Sequence, residues 1–173
     1  MNKILNLSVS VILCGILVFF ASCKKDSESS EPIVSGQIKL ENVTYDISVV
    51  SVQTIATGDE SIAHISLISA SVSGKIITVQ LGCFYPSSGG ISGTYNLQND
   101  DNDVRYLDSW MSNYSVTEGT VSIEMYNNLQ SGTATIKDNG NSNFDISFKI
   151  QPSAGSEIEG TYSGVVVKQS VAS

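Results

Sequence analysis

The sequence has little of the residue types on which many activities depend. In 173 residues it contains one histidine, His64, and one arginine, Arg105. A zinc site usually draws on several histidine or cysteine ligands, so we expect no metal. The chain carries 9 basic against 17 acidic residues and has no basic cluster. Nucleic-acid binding rests on basic side chains that neutralise phosphates, so we expect no nucleic-acid partner.

Signals of catalysis are scarce as well. No Gly-x-Ser-x-Gly motif is present to place a serine nucleophile. A Ser-His-Asp triad would have to use His64, which stands between Ala63 and Ile65 and so on the outward face of a predicted strand. We therefore expect no enzyme and no cofactor, with a hydrolase as the least favoured alternative.

Cysteine usage excludes a disulfide within the body of the chain. Cys14 lies in an N-terminal apolar run and Cys23 at its end, which leaves Cys83 alone. Cys83 has the same strand parity as Val79 and Leu81, and no basic residue stands near it in sequence to lower its pKa. We expect it to be a small buried apolar residue rather than a reactive thiol.

Long helix-forming stretches are also lacking, and strand-forming residues take their place. β-branched residues and tyrosine are plentiful, together with the Gly, Ser, Thr and Asn that suit turns. Phe144, Ile146, Phe148 and Ile150 alternate with polar residues and form the clearest half-buried strand. About nine or ten such strands predict an all-β fold, a single antiparallel β-sandwich or barrel over residues 34–173.

Three local patterns refine this prediction. From Val43 to Val49 every other residue is apolar, which predicts a strand with one buried face. The apolar parity changes at Ile68 and Ala70, which predicts a bulge or a bend within that strand. The Asn139–Gly140 pair predicts a type I′ turn, which requires a positive φ at both central residues.

The N-terminus has the pattern of a lipoprotein signal. Lys3 precedes an apolar run, Val11 to Ala21, that is shorter than the roughly 20 residues needed to span a bilayer. The run ends in Phe20-Ala21-Ser22-Cys23, which resembles a bacterial lipobox with Phe20 in place of the usual Leu. We interpret residues 1–22 as a lipoprotein signal peptide and Cys23 as the lipidation site, where chains such as palmitate anchor the protein in a membrane. The alternatives are an ordinary signal peptide with an incidental cysteine and an N-terminal helix anchor.

Residues 23–33 are expected to form an acylated, flexible tether. The segment Lys24 to Pro32 reads KKDSESSEP and has no aromatic residue, so it cannot bury a core. In the phylum Bacteroidetes, an acidic and serine-rich segment after the lipidated cysteine resembles the signal that sends lipoproteins to the outer leaflet. We therefore expect a location in the cell envelope, with the outer membrane favoured and surface exposure as a further expectation.

One connection between predicted strands, residues 104–114, is dense in aromatic residues. Tyr106, Trp110 and Tyr114 follow one another at four-residue spacing, and Arg105 stands beside the first. Aromatic rings with a few hydrogen-bonding groups suit a glycan, a protein or a small ligand. These four residues are the candidate ligand-binding residues. The alternative is that Trp110 caps the end of the core from a short helical turn.

A second loop has a weaker signal. Asn99, Asp101 and Asp103 have the spacing of the first ligands of a calcium loop. Val104 stands where that loop needs a glycine, and Trp110 stands where it needs a glutamate. We expect a solvated acidic turn.

The second half of the chain contains a series of short motifs. They are Ser92–Leu97 (SGTYNL), Arg105–Tyr106, Gly119–Ile123 (GTVSI), Ser131–Thr133 (SGT) and Glu159–Tyr162 (EGTY). In their order and spacing they resemble a family of small Bacteroidetes lipoproteins of uncharacterised function. The resemblance covers residues 80–168 and implies an anchored β-domain, with no catalytic residue to carry over.

These observations lead to one expected function and one alternative. The protein is expected to be a lipid-anchored envelope protein whose non-catalytic β-domain serves as a binding or scaffold module. The alternative is a structural or accessory subunit of a surface assembly, docked through an open sheet edge. The oligomeric state is left open.

Overall fold

The computed structural model describes residues 35–97 and 104–170, which form an all-β domain within Pro32–Ser173. The all-β prediction is confirmed. The predicted signal peptide, Cys23 and the tether lie outside the described residues, as does the acidic loop from Asn99 to Asp103. The strands are β1 (Ser35–Leu40), β2 (Val43–Thr57), β3 (Glu60–Ser69), β4 (Lys75–Pro86), β5 (Gly93–Leu97), β6 (Tyr106–Leu107), β7 (Asn113–Glu118), β8 (Val121–Tyr126), β9 (Leu129–Asp138), β10 (Asn143–Pro152), β11 (Ile158–Val165) and β12 (Val167–Ser170).

Strand pairing closes the sheet on itself. Strand β2 pairs with both β1 and β3, β3 pairs with β4, and β4 pairs with the two-residue strand β6. From β6 the pairing continues through β5, β9, β10 and β11 back to β1. Every pair in this ring is antiparallel except β5 with β6. The fold is therefore a closed, barrel-like sheet, which is one of the two expected architectures.

Two strand segments lie outside the ring. The hairpin of β7 and β8 is attached to β4, and β12 runs parallel to β2. Strands β6 and β7 follow one another along the edge of β4 that faces away from β3. Among the described strands, β8 and β12 each pair along one edge only.

The inner face of the ring carries one hydrophobic core. In β10, Phe144, Ile146, Phe148 and Ile150 are buried as the alternation predicted. Cys83 is also buried, which confirms its prediction. Burying each large apolar side chain contributes about 1.5–3 kcal/mol, so the alternation of apolar residues fixes which face of each strand turns inward.

The predicted bulge lies in the neighbouring strand. Strand β3 keeps its alternation up to Ser69, while the register of β2 slips between Ile47 and Val49. Val49 is therefore 46% exposed and Val50 is buried, so the prediction that Val49 belongs to the buried face was wrong. Val43 is exposed as well. Either partner of an antiparallel pair can absorb an extra residue, and sequence parity does not tell which one does.

The turn after β9 is also longer than predicted. Gly140, Asn141 and Ser142 have φ angles of 81°, 50° and 60°, while Asn139 is not in this positive-φ group. The side chain of Asp138 accepts a hydrogen bond from Gly140 N–H at 2.9 Å. This bond fixes the first part of the loop, so the left-handed residues come later than a type I′ turn at Asn139–Gly140 requires.

At Gly160, the backbone of β11 lies unusually close to atoms of both neighbouring strands. Gly160 pairs with Phe148 of β10 and with Ile38 of β1. A Cβ at Gly160 would lie 2.6 Å from Phe148 Cε1 and 2.8 Å from the backbone oxygen of Gln37. Because one of these atoms is backbone, the clash cannot be relieved by a rotamer change alone.

We predict that Gly160→Ala lowers the free energy of unfolding by about 1–3 kcal/mol, the usual cost of overpacking a core. Urea denaturation of the two proteins measures this difference. Thr161→Ala, at the next and outward-facing position, is the control and should change stability by less than about 0.5 kcal/mol. Equal stability of Gly160→Ala and the natural protein would contradict the close approach.

Candidate ligand-binding site

The four predicted ligand residues do not share one surface. Tyr114 is only 1% exposed and packs against Tyr126, with ring centroids 4.6 Å apart and ring planes tilted by 32°. Its hydroxyl donates to the backbone oxygen of Ser156 at 3.1 Å. Tyr114 thus ties β7 to the loop before β11, and its buried ring offers no surface to a ligand. Trp110 is 74% exposed and does not cap the core.

Arg105 uses its guanidinium within the fold. Its Nη1 donates to Gly90 O at 2.9 Å and to Tyr95 Oη at 3.2 Å, and its Nη2 donates to Gly89 O at 3.0 Å. The guanidinium carbon lies 5.8 Å from the centre of the buried Tyr95 ring. Burial raises the pKa of Tyr95, so its hydroxyl stays neutral and donates to Ile91 O. Arg105 therefore fastens the loop after β4 to the start of β6.

We predict that Arg105→Lys lowers the free energy of unfolding by about 1–3 kcal/mol. A lysine ammonium cannot reproduce the planar fork that reaches two carbonyls and a hydroxyl at once. Urea denaturation measures the loss, with Lys75→Ala on the exposed start of β4 as the control, expected to shift stability by less than about 0.5 kcal/mol. If Arg105→Lys is as stable as the control, the guanidinium does not hold this loop.

Trp110 lies on a single α-turn with a fixed geometry. Ser112 N–H donates to Asp108 O at 3.0 Å, which closes the turn. The carboxylate oxygen Oδ1 of Asp108 accepts the N–H groups of Trp110 and Met111, both at 2.8 Å. The predicted helical turn is thus present, but it holds the tryptophan away from the core.

The turn is docked onto β4 at Gly82, between the positions that pair with β6 and those that pair with β7. Asp108 N–H donates to Gly82 O at 2.9 Å, and Gly82 N–H donates to Ser112 Oγ at 3.0 Å. The side chain of Met111 packs directly against Gly82, where any Cβ would collide with it. These contacts place the turn that carries Trp110 on the outward side of β4 at Gly82, whose cross-strand neighbour on β3 is His64.

A row of apolar side chains crosses that outer face. Ile55, Ile62, Phe84 and Tyr106 are cross-strand neighbours on β2, β3, β4 and β6. All four are partly exposed. The rings of Phe84 and Tyr106 stack with centroids 4.7 Å apart and planes 7° from parallel. We call these four residues the aromatic row.

A polar groove runs beside the aromatic row. Gln53 and His64 are cross-strand neighbours, and Ser66 stands opposite Gln80. His64 faces outward, as its position between two buried residues predicted. The groove measures about 290 Å³, and its outward-facing lining comprises Ser51, Gln53, Ile55, His64, Ser66, Gln80 and, from β12, Gln169. We call this the His64 groove.

The side chains that line the His64 groove are almost all uncharged. Among the lining side chains of the His64 groove, His64 is the one titratable group. In the aromatic row beside the groove, the pKa of Tyr106 is raised, mainly by burial and to a smaller extent by the nearby carboxylates of Glu60 and Asp108. The Tyr106 hydroxyl therefore remains protonated and can donate a hydrogen bond.

A larger groove lies elsewhere on the barrel. It measures about 520 Å³ and lies outside β1, β9, β10 and β11, lined by hydroxyl groups and by charged side chains such as Lys39, Lys149 and Glu159. Lys39 pairs with Glu159 at 3.5 Å, and Lys149 pairs with Glu157 at 2.8 Å. The one aromatic residue in its lining, Phe148, is buried. Because it offers no exposed ring, this groove is the weaker candidate in spite of its volume.

Metal binding and membrane crossing can be addressed only in the described part of the chain. Across residues 35–97 and 104–170, no group of three or more His, Cys, Asp or Glu side chains could hold a metal ion. The same residues contain no helix long and apolar enough to cross a membrane. Burial raises the pKa of the Cys83 thiol, so this cysteine is inert rather than nucleophilic.

Comparison with known proteins adds no relative. No protein-family model matches the chain, and neither a curated protein nor a solved structure matches it significantly. Fold and site together define a closed, mostly antiparallel β-domain with a polar groove on its outer face and an exposed tryptophan on a turn docked to β4. The resemblance to Bacteroidetes lipoproteins stays a prediction.

Several residues of this face did not emerge from the sequence. The sequence does not single out Phe84, Ile62 or Gln53, because no motif or cluster of aromatic residues surrounds them. A usable signal exists for two of them: Phe84 and Ile62 stand at outward positions by parity and are large and apolar where a polar residue is expected. Gln53 faces outward only because of the bulge in β2. Which outward residues become neighbours depends on strand register.

Proposed function

We propose that this protein is a lipid-anchored module of the cell envelope that binds a ligand on the face formed by Trp110, the aromatic row and the His64 groove. The observation that carries the proposal is Trp110, a large ring that is 74% exposed on a turn held by five hydrogen bonds and a packed methionine. Tryptophan is enriched among the residues that dominate binding energy. A turn whose backbone is held in place before binding loses little backbone entropy on binding.

The chemistry of the groove favours binding over catalysis. A histidine that acts as a general base is normally oriented by a third group such as a carboxylate. The neighbours of His64 in the groove are amides and hydroxyls, Gln53, Ser66 and Gln80 among them. They can form hydrogen bonds with a ligand, but they offer no carboxylate to orient the imidazole and stabilise its protonated form, as a catalytic triad does. This composition supports a non-catalytic role.

The anchor is the second part of the proposal. With Cys23 acylated, the flexible tether of residues 23–33 would have an end-to-end distance of roughly 18 Å. The domain would then remain close to the membrane while its binding face could turn toward material in the envelope. We place the protein at the outer membrane on the basis of the signal and tether sequences alone.

Replacement of Cys23 tests the anchor. We expect Cys23→Ser to abolish metabolic labelling with palmitate and to move the protein from the membrane fraction to the soluble fraction, because no acyl chain can be attached. Cys83→Ser is the matched control and should keep both label and membrane association. Unchanged labelling of Cys23→Ser would show that the anchor lies elsewhere.

Replacement of Trp110 tests the binding face. We expect Trp110→Ala to weaken retention of the detergent-purified lipoprotein on immobilised envelope glycans and peptides by roughly tenfold or more. Val121→Ala is the control, because Val121 is 64% exposed at the far end of the β7–β8 hairpin. Urea denaturation should show that neither change affects folding. Equal retention of both variants would contradict the proposed face.

A second candidate function rests on β8. This strand exposes Val121 and Met125, at 64% and 66%, and pairs along one edge only within the described sheet. An open strand edge with apolar side chains can take up a strand from another chain, as expected for a subunit of a surface assembly. Self-association or assembly that Met125→Lys abolishes and Trp110→Ala leaves intact would favour this candidate.

A further inference from the structure

We infer that the ligand of this face is an uncharged glycan chain, an inference that rests on the proposed function. It would lie along the His64 groove with its sugar rings against the aromatic row and Trp110. The argument uses the hydrogen-bonding chemistry of the groove, the charges around it, the pairing of its strands and its length.

The groove presents groups that both donate and accept hydrogen bonds. The side chains of Gln53, Gln80 and Gln169 are amides, and those of Ser51 and Ser66 are hydroxyls. Sugar hydroxyl groups also donate and accept, so each can pair with such a side chain. The Asn113 amide donates to Gln80 Oε1 at 3.2 Å, which holds the Gln80 amide in one orientation. A chain rich in hydroxyls is the ligand that this lining fits.

The surrounding charges disfavour a charged ligand. An anionic chain would need a cation, but Arg105 is committed to two carbonyls and Lys168 is paired with Asp138 at 3.1 Å. The chain as a whole has a net charge of −8, which repels anions. A cationic ligand would need a carboxylate, and the groove lining contains none. The carboxylates of Glu60 and Asp108 lie at the far end of the face, near Tyr106, and that of Asp108 already accepts two backbone N–H groups. An uncharged ligand needs neither a cation nor a carboxylate as its partner.

Strand pairing disfavours an extended peptide over β3, the central strand of this face. Strand β3, which carries Ile62 and His64, is paired with β2 on one edge and with β4 on the other. Its backbone groups are therefore already bonded, and a peptide cannot add to it as a further strand. Recognition has to come from side chains that project from the sheet, which is how a polar groove beside aromatic rings would recognise a sugar chain.

The dimensions favour a chain over a single sugar. Ile62 and His64 stand two residues apart on one face of β3, so the aromatic row and the groove lie about 7 Å apart. From Gln53 on β2 to Tyr106 on β6 the face crosses three strand spacings, about 14 Å. This length exceeds one pyranose ring. The polar edges of consecutive sugars could face the amides while their apolar faces rest on the rings.

Trp110 makes the inference directly measurable, because it is the only tryptophan in the chain. The probes are neutral hexasaccharides (cellohexaose, xylohexaose and mannohexaose) and acidic oligogalacturonate of the same length, each titrated into the detergent-purified lipoprotein. We expect at least one neutral probe to shift the Trp110 emission to shorter wavelength in a saturable way. We expect no saturable shift with oligogalacturonate.

Variants of matched chemistry localise the binding. Gln53→Ala should weaken the binding of the neutral probe by roughly two- to tenfold, the worth of one hydrogen bond. Gln37→Ala removes the same side chain from the outward face of β1, outside the groove, and should leave binding unchanged. Gln169→Ala on β12 is a second groove variant should Gln53→Ala fold poorly.

The outcomes separate this inference from the proposal on which it rests. Binding of the acidic probe alone, or equal effects of Gln53→Ala and Gln37→Ala, would overturn the glycan inference. If no neutral probe binds but Trp110→Ala still abolishes retention of an envelope peptide, the face binds a ligand and only the glycan inference fails. If Trp110 responds to no probe and retention does not depend on it, both fail.

Discussion

The closed sheet depends on the two-residue strand β6. Tyr106 and Leu107 bridge β4 and β5, the one place where the ring of strand pairs would otherwise be open. Without this bridge both strands would leave backbone donors and acceptors unpaired along an edge. Leu107 is buried in the core and Tyr106 stacks on Phe84 outside it, so β6 is held from both faces of the sheet.

The segment that closes the ring also contributes to the proposed binding face. On one side of β6, Arg105 fastens the loop after β4, and on the other side Asp108 caps the turn that carries Trp110. Gly82 receives that turn because it has no side chain in the way. Fold and proposed function therefore rely on the same contacts. The backbone of the turn is preorganised, since the hydrogen bonds that fix it are formed before any ligand arrives.

The outer surface of the ring is divided into two sectors. Over β2, β3, β4 and β6 the outward residues form the aromatic row and the His64 groove, and over β1, β9, β10 and β11 they are mostly hydroxyl and charged groups. Strand register alone creates this division, since each sector is assembled from residues far apart in the chain. For the same reason, two aromatic side chains that are near one another in sequence differ in burial. Tyr114 fills the core, and Trp110 stands in solvent.

Alternation in the sequence was sufficient to predict the class of fold, the inward face of β10, the burial of Cys83 and the outward direction of His64. Each follows from the two-residue period of a strand and the free energy of apolar burial, which are local properties. The tertiary structure decided the position of the bulge in β2, the closure through β6, the commitment of Arg105 to a loop, and the meeting of Gln53, His64 and Gln80 in one groove. These depend on which strands pair and in what register, and pairing between distant strands is set by the packing of the whole core rather than by any single segment.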